Sequence, residues 1–139
     1  MEYKKINRKK ILGQAEIRDR AVEFVRRWYK RHGWRIVVQK RKPYDLVANK
    51  GTNRRYIEVK GTMNQRTNFR ALLTRNEKKF IEQCLMNKTH YRFHVVAGLG
   101  RFDKQIHRVF TANKIPKPKS AGHYYITVPM KKGPIHKTR

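Results

Sequence analysis

Acidic residues are scarce in this chain. Its 139 residues include nine Asp and Glu against 36 Lys and Arg, and the formal net charge is +27. Such a charge repels itself in a compact fold, so it is typical of proteins that bind a polyanion. Nucleic acid is the first candidate partner and an acidic membrane surface is the second.

Cysteine and long apolar runs are also lacking. A single Cys excludes an internal disulfide framework and fits a reducing compartment, so we expect a cytoplasmic protein. No apolar run reaches membrane-spanning length and no amphipathic basic helix stands out, so no membrane partner is expected. The N-terminal MEYKKINRKKIL has charge but no apolar stretch behind it, so no signal peptide is expected.

Length and composition indicate one folded domain over residues 1–139. The hydrophobic content of 38% is sufficient for a core at this length. The basic segments 1–12 and 130–139 are expected to be flexible arms.

Hydrophobic periodicity predicts an α/β architecture. An apolar stripe at helical spacing indicates a helix over 15–31 that Gly33 ends. Strands are predicted in WRIVVQ, YDLVAN and RRYIEVKGT, and NKGTN joins the last two as a hairpin. A polar loop, MNQRTNFR, precedes a second helix that opens with a capping box at Thr74 and Glu77. YRFHVVAG is a fourth strand, and IHRVF and HYYITV add strands in the tail. This order predicts a mixed sheet flanked by helices.

Two of the scarce acids lie in segments that read as buried strands. Residues two apart in a strand share a face, so Glu58 and Lys60 point the same way, and the hairpin brings Asp45 beside Glu58. A partly buried Glu58–Lys60 ion pair is the simpler interpretation, but it does not explain a second carboxylate. A divalent cation would relieve the repulsion, and two carboxylates, the backbone carbonyl of Val59 and waters are ligands that Mg²⁺ prefers. Lys60 would then hold or deprotonate a water that attacks a phosphate.

The PYD at 43–45, the hairpin turn and the IEVKGT at 57–62 resemble the motif of the PD-(D/E)XK nuclease superfamily. The resemblance covers roughly residues 13–97. It is closest to the restriction-endonuclease-like domain of NO VEIN-type proteins and more distant to archaeal Holliday-junction resolvases and Mrr-like enzymes. It implies an αβββαβ core with extra C-terminal strands. It also implies an endonuclease that hydrolyses DNA with Mg²⁺ or Mn²⁺, structure-directed or weakly sequence-specific.

The resemblance assigns roles to individual residues. It implies that Asp45 and Glu58 are metal ligands and that Lys60 is the catalytic lysine. The acid that such families often place on the first helix corresponds to Glu16. Glu16 and Glu23 lie together on the helix, roughly opposite its apolar stripe, so Glu16, Glu23 or neither remains open. Glu77 is either a second group near the site or only a helix cap.

Polar residues around the motif are candidate nucleic-acid contacts. They are Lys42, Arg54, Arg55, Thr62, Asn64, Gln65, Arg66 and Arg75. No helix-turn-helix or zinc-finger pattern offers base readout, so binding through phosphates is favoured over a defined recognition sequence. His94 alternates with core residues on its strand and is interpreted as a structural histidine.

The main alternative is a non-catalytic protein that binds DNA or structured RNA on the same fold, for example in a ribonucleoprotein. The charge is high for an enzyme of this size, which favours this alternative. It predicts binding that ignores Mg²⁺ and survives loss of Asp45. A homodimer is compatible with the chain, but no sequence feature specifies one.

Overall fold

A computed structural model describes residues 13–38, 43–63, 68–100, 105–116, 119–120 and 124–130. The helices of this part are α1 (Gln14–Arg31) and α2 (Arg75–Asn87), with a 3-10 turn at Ala112–Lys114. The strands are β1 (Arg35–Val38), β2 (Leu46–Lys50), β3 (Asn53–Gly61), β4 (Asn68–Leu73), β5 (Tyr91–Ala97), β6 (Ile106–Thr111), β7 (Lys119–Ser120) and β8 (Tyr124–Pro129).

The central sheet has the strand order β1-β2-β3-β5-β6. Only the β3–β5 pair within it is parallel, so the sheet is mixed, as the sequence predicts. The antiparallel β2–β3 hairpin sets Leu46 opposite Ile57, and the backbone N–H of Asp45 donates to the carbonyl of Ile57 at 2.8 Å. Asp45 therefore lies at the open end of the hairpin, next to Glu58.

The two faces of the central sheet bury separate clusters. Helix α1 covers one face, and the second cluster lies under α2 and a second sheet. The α1 cluster comprises Ala21, Val25, Tyr29, Leu46, Ala48, Ile57, Val59, Val96 and Leu99. The opposite cluster comprises Ala71, Leu73, Ile81, Cys84, Tyr91, Phe93, Val95, Ala97, Phe110, Ile126, Val128 and Met130. Burial of this apolar area is the main stabilising term of the fold.

The second sheet corrects one sequence prediction. We expected a polar loop over MNQRTNFR, but Asn68–Arg70 belong to β4, which pairs antiparallel with β8, and β8 pairs with β7. Strand β4 alternates buried Ala71 and Leu73 with exposed Arg70 and Leu72, which is the period of a half-buried strand. Its partner lies more than fifty residues later in the chain, so local composition does not reveal the pairing.

The chain ends fall mostly outside the described residues, including 1–12 and 131–139. Met130, which we assigned to the C-terminal arm, is buried directly after β8. Neither helix of the described part is long and apolar enough to cross a membrane.

Candidate active site

The motif residues meet where the β2–β3 hairpin opens. Asp45 and Glu58 are only 6% and 2% exposed. The Oδ2 atom of Asp45 accepts the backbone N–H of Val59 at 2.8 Å, and its Oδ1 accepts from Arg18 of α1 at 2.8 Å. In an extended strand the N–H and C=O of one residue point to the same side, so the carbonyl of Val59 also faces Asp45. The Asp45 carboxylate is therefore next to Val59 and close enough to Glu58 to interact with it electrostatically, and it lines a smaller neighbouring cleft with Arg18.

Glu58 is the anomalous group of this site. Its Oε2 lies 3.3 Å from the Nζ atom of Lys60, but its buried Oε1 has no hydrogen-bond partner among the described residues. Burial raises the pKa of Glu58 well above its ordinary value, the nearby Asp45 carboxylate raises it further, Lys60 offsets only part of the rise, and Glu77 adds to it. An unsatisfied buried oxygen costs about 1–3 kcal/mol, so a purely structural ion pair does not account for it.

Lys60 is fixed from the opposite side by Glu77. Its Nζ donates to Oε1 of Glu77 at 3.0 Å. The same oxygen accepts the backbone N–H of Thr74, which completes the predicted capping box of α2. Glu77 therefore fills both roles that the sequence left open, because it caps α2 and holds Lys60. Burial acts to lower the pKa of Lys60, but Glu58 and Glu77 outweigh it, so the group is an ammonium at neutral pH.

A cleft of about 550 Å³ opens over Glu58, Lys60 and Glu77. Several lining residues were not singled out from the sequence, among them Gln14, Arg18, Phe69, Arg70 and Leu72. Arg18 and Arg70 are two of 36 Lys and Arg in the chain, so their residue type alone did not indicate that they line the cleft. Their positions depend on how α1 and β4 cross the sheet, which only the tertiary structure shows.

Two predicted acids do not join this cleft. Glu16 lies in the first turn of α1, pairs with an arginine one turn later at 3.3 Å, and lines a different cleft together with Glu23. Glu23 accepts hydrogen bonds from Arg26 and Arg27. Glu23 also lines a smaller cleft beside Arg18 and Asp45, but neither Glu16 nor Glu23 lines the cleft over Glu58, and the α1 side chain that contacts Asp45 is Arg18.

The candidate nucleic-acid contacts are dispersed. Thr62 lines the cleft, and Arg75 is exposed at the start of α2. Arg54 and Arg55 lie at the hairpin end of β3, away from the cleft, where Arg55 stacks on Trp34 with its Cζ 4.5 Å from the ring centre. The remaining candidates, Lys42, Asn64, Gln65 and Arg66, lie outside the described residues.

The donor set of the site suits a hard cation. Nowhere in the described ranges do three or more His, Cys, Asp or Glu residues form a metal-binding group. Two carboxylates and a backbone carbonyl, with waters, are instead ligands for Mg²⁺ or Mn²⁺. The unpartnered Oε1 of Glu58 is the atom of this structure that fits such an ion. His94 is a structural histidine, as predicted, because it is buried and hydrogen-bonded to Tyr29 at 2.7 Å and to His107 at 2.8 Å.

The fold and the motif define a restriction-endonuclease-like protein of the PD-(D/E)XK superfamily, as predicted. The solved structure of Hjc, a Holliday junction resolvase from the archaeal hyperthermophile Archaeoglobus fulgidus, is similar with a TM-score of 0.52 and 12% sequence identity. The similarity covers 80% of this chain and 82% of that chain, and at this identity it shows the fold alone. Residues 17–117 match the family described as Protein NO VEIN, C-terminal, and the chain belongs to that family. No curated protein sequence matches the chain.

Proposed function

We propose that this protein is a metal-dependent endonuclease that hydrolyses phosphodiester bonds of DNA. The observation that carries the proposal is the buried Glu58 carboxylate, which keeps one oxygen unpartnered beside Asp45. Nothing in the packing of the sheet requires two adjacent carboxylates, and their repulsion destabilises the fold. A bound divalent cation would relieve this repulsion and would bind a phosphate substrate. The family and the fold support a nuclease-type activity.

Asp45, Glu58 and the carbonyl of Val59 would hold the cation. When bound, such an ion lowers the pKa of a coordinated water and stabilises charge on a phosphate. Lys60, as an ammonium, donates a hydrogen bond to the attacking water or to a phosphate oxygen and does not act as a base. Glu77 positions Lys60 by accepting its second hydrogen bond. The oxygen of the water forms a bond to phosphorus and the water releases a proton to the solvent, while the bond from phosphorus to the leaving oxygen breaks and that oxygen takes up a proton.

Arg18 competes with the cation for Asp45. Its guanidinium lies 2.8 Å from Oδ1 of Asp45, while the rest of its side chain is exposed at the rim of the cleft. A cation that binds Asp45 weakens this ion pair. Arg18 is then free to meet a phosphate, to which a guanidinium binds with two parallel hydrogen bonds.

The test is a cleavage assay on labelled duplex, single-stranded and branched DNA, with Mg²⁺ or Mn²⁺ against EDTA. Asp45→Asn keeps the shape of the side chain and removes its charge, and Glu16→Gln is a matched control because Glu16 lies outside the cleft. We expect metal-dependent cutting by the wild type and by Glu16→Gln, and none by Asp45→Asn. Equal cutting by Asp45→Asn would refute the assignment.

A non-catalytic nucleic-acid-binding protein is the second candidate. The observation that favours it is the Arg18–Asp45 ion pair, because both oxygens of Asp45 already have protein partners. A gel shift in EDTA that is unchanged by Mg²⁺ and by Asp45→Asn, without cleavage by either protein, would establish it. A homodimer and a cytoplasmic location stay predictions from the sequence.

A further inference from the structure

The outer face of the second sheet carries cationic, aromatic and apolar side chains next to one another. Inward-facing side chains of β4 and β8, such as Ala71 and Ile126, are buried in the core. Outward-facing Arg70 and Leu72 of β4 are exposed, and Leu72 is 54% exposed although it is a large apolar residue. A scattered exposed leucine needs no explanation by itself, so the neighbours of Leu72 decide its meaning.

Those neighbours form a cationic and aromatic surface. Tyr125 of β8 pairs directly with Leu72 across the two strands. The guanidinium of Arg70 stacks on the ring of Tyr125, with its Cζ 4.4 Å from the ring centre. Lys119 of β7 pairs with Tyr125 from the other side. We name Arg70, Leu72 and Tyr125 the stacking platform.

The stacking platform is continuous with the candidate active site. Arg70 and Leu72 line the same cleft as Glu58, Lys60 and Glu77. Strand β4 therefore forms a wall of the cleft and one half of the platform. A strand of DNA whose phosphate lies over Glu58 has its neighbouring nucleotides within reach of this face.

We propose that the stacking platform binds unpaired nucleotides of DNA beside the cleft. Aromatic rings and guanidinium planes stack on the faces of bases without regard to sequence, and positive charge meets the adjoining phosphates. A continuous duplex hides the faces of its bases, so only single-stranded, flapped or branched DNA gains from this contact. This inference rests on the proposed function, which places the scissile bond over the cleft. The substrate class is then DNA with an unpaired segment next to the scissile bond.

The experiment measures binding in EDTA, so that no cleavage occurs. Fluorescence anisotropy compares a single strand, the matching duplex, and a duplex with a single-stranded flap. Tyr125→Leu removes the ring and keeps apolar bulk, and Arg70→Lys keeps the charge and removes the stacking plane. Arg35→Lys is the matched control, because Arg35 is exposed on β1 at the far edge of the central sheet. Thermal unfolding of each variant checks that it is folded.

We expect Tyr125→Leu to weaken binding of the single strand and the flap by about 5- to 150-fold, the range for loss of one stacked base. Arg70→Lys is expected to weaken the same two ligands, while duplex binding and the Arg35→Lys control stay unchanged. Equal losses of affinity for duplex and single strand, or no loss for either, would refute the proposal. Photocrosslinking from bromodeoxyuridine in the flap should label Tyr125 or its neighbours, and labelling elsewhere alone would count against it.

Failure of this inference is separable from failure of the proposed function. Wild type that binds the flap through Tyr125 but cuts nothing with Mg²⁺ or Mn²⁺ would retain the platform and refute the nuclease. Wild type that cuts DNA while Tyr125→Leu binds and cuts equally well would retain the nuclease and refute the platform.

Discussion

Replacing Glu58 by Gln is expected to stabilise the metal-free protein and to abolish the proposed cleavage. The wild-type carboxylate is buried beside Asp45 and leaves its Oε1 without a hydrogen-bond partner in the described part of the chain. Glutamine has nearly the same shape and carries no charge, so the repulsion with Asp45 disappears. Lys60 loses a partner at 3.3 Å but keeps Glu77 at 3.0 Å.

The expected gain is the balance of these two effects. An unpartnered buried polar atom costs about 1–3 kcal/mol, and more when it is charged, so replacing the carboxylate by a neutral amide recovers a cost of this order. Lys60 loses one partner in this largely buried pair but keeps Glu77, so its charge is not left unpaired and the loss costs about 1 kcal/mol. The net free energy of unfolding should therefore rise by about 1 kcal/mol. For a chain of this length that raises Tm by roughly 3–5 °C.

The pH dependence identifies the cause. The pKa of Glu58 is higher in the folded protein than its ordinary value of 4.5, so the folded state binds this proton more tightly than the unfolded chain. Wild-type stability therefore falls as pH rises above 4.5 toward the folded pKa. Glu58→Gln lacks this loss, so its advantage grows with pH across that window. Saturating Mg²⁺ should make the wild type more stable than Glu58→Gln, because a ligand that binds only the folded wild type stabilises it.

The assay is urea unfolding in EDTA at several pH values, with thermal unfolding as a second measurement. Glu16→Gln is the control, because Glu16 is exposed and its ion pair within α1 is worth little. The reasoning is refuted if Glu58→Gln is less stable than the wild type at neutral pH, or if the difference between them does not change with pH.

Three further predictions test other parts of the structure. Arg18→Ala should bind Mn²⁺ several-fold more tightly by calorimetry, because it removes a competitor 2.8 Å from Asp45, and unchanged affinity would contradict this competition. Gly61→Ala should lower the free energy of unfolding by about 1–3 kcal/mol in urea, because its Cβ would lie 2.7 Å from that of Ala21, and wild-type stability would contradict this packing. Burial lowers the pKa of His107 from 6.5 to about 4, so the folded state loses stability as pH falls through this window, by about 3 kcal/mol in full. The stability difference between wild type and His107→Gln isolates this contribution, and a difference that is constant from pH 6.5 to 4 would argue against it.

Local patterns were sufficient to predict most of the central elements. The apolar stripe of α1, the alternation of β3 and the capping box at Thr74 depend on neighbours in sequence, and the structure has each of them. The motif spacing also predicted that Asp45, Glu58 and Lys60 would meet. Strand spacing of about 3.3 Å per residue and the turn chemistry of the hairpin leave few other placements for them.

Contacts between distant segments could not be predicted in this way. Strand β4 reads as polar at its start, and its partner β8 lies far along the chain, so neither segment alone reveals the second sheet. The phase of α1 sets Glu16 and Arg18 in different clefts, although they are two residues apart. Their roles depended on the angle at which the helix meets the sheet, which no local pattern encodes.

Acidic residues are scarce in this chain, so their grouping at the candidate site determines its charge. Other described acids, such as Glu23 and Glu82, pair with cations on their own helices. Asp45, Glu58 and Glu77 instead converge on Arg18 and Lys60, so three carboxylates meet two cations and one negative charge remains. A bound divalent cation would change that balance to one positive charge. The added positive charge would favour a phosphodiester over the carboxylates, and Arg70, which lines the same cleft, keeps the platform side cationic in both states.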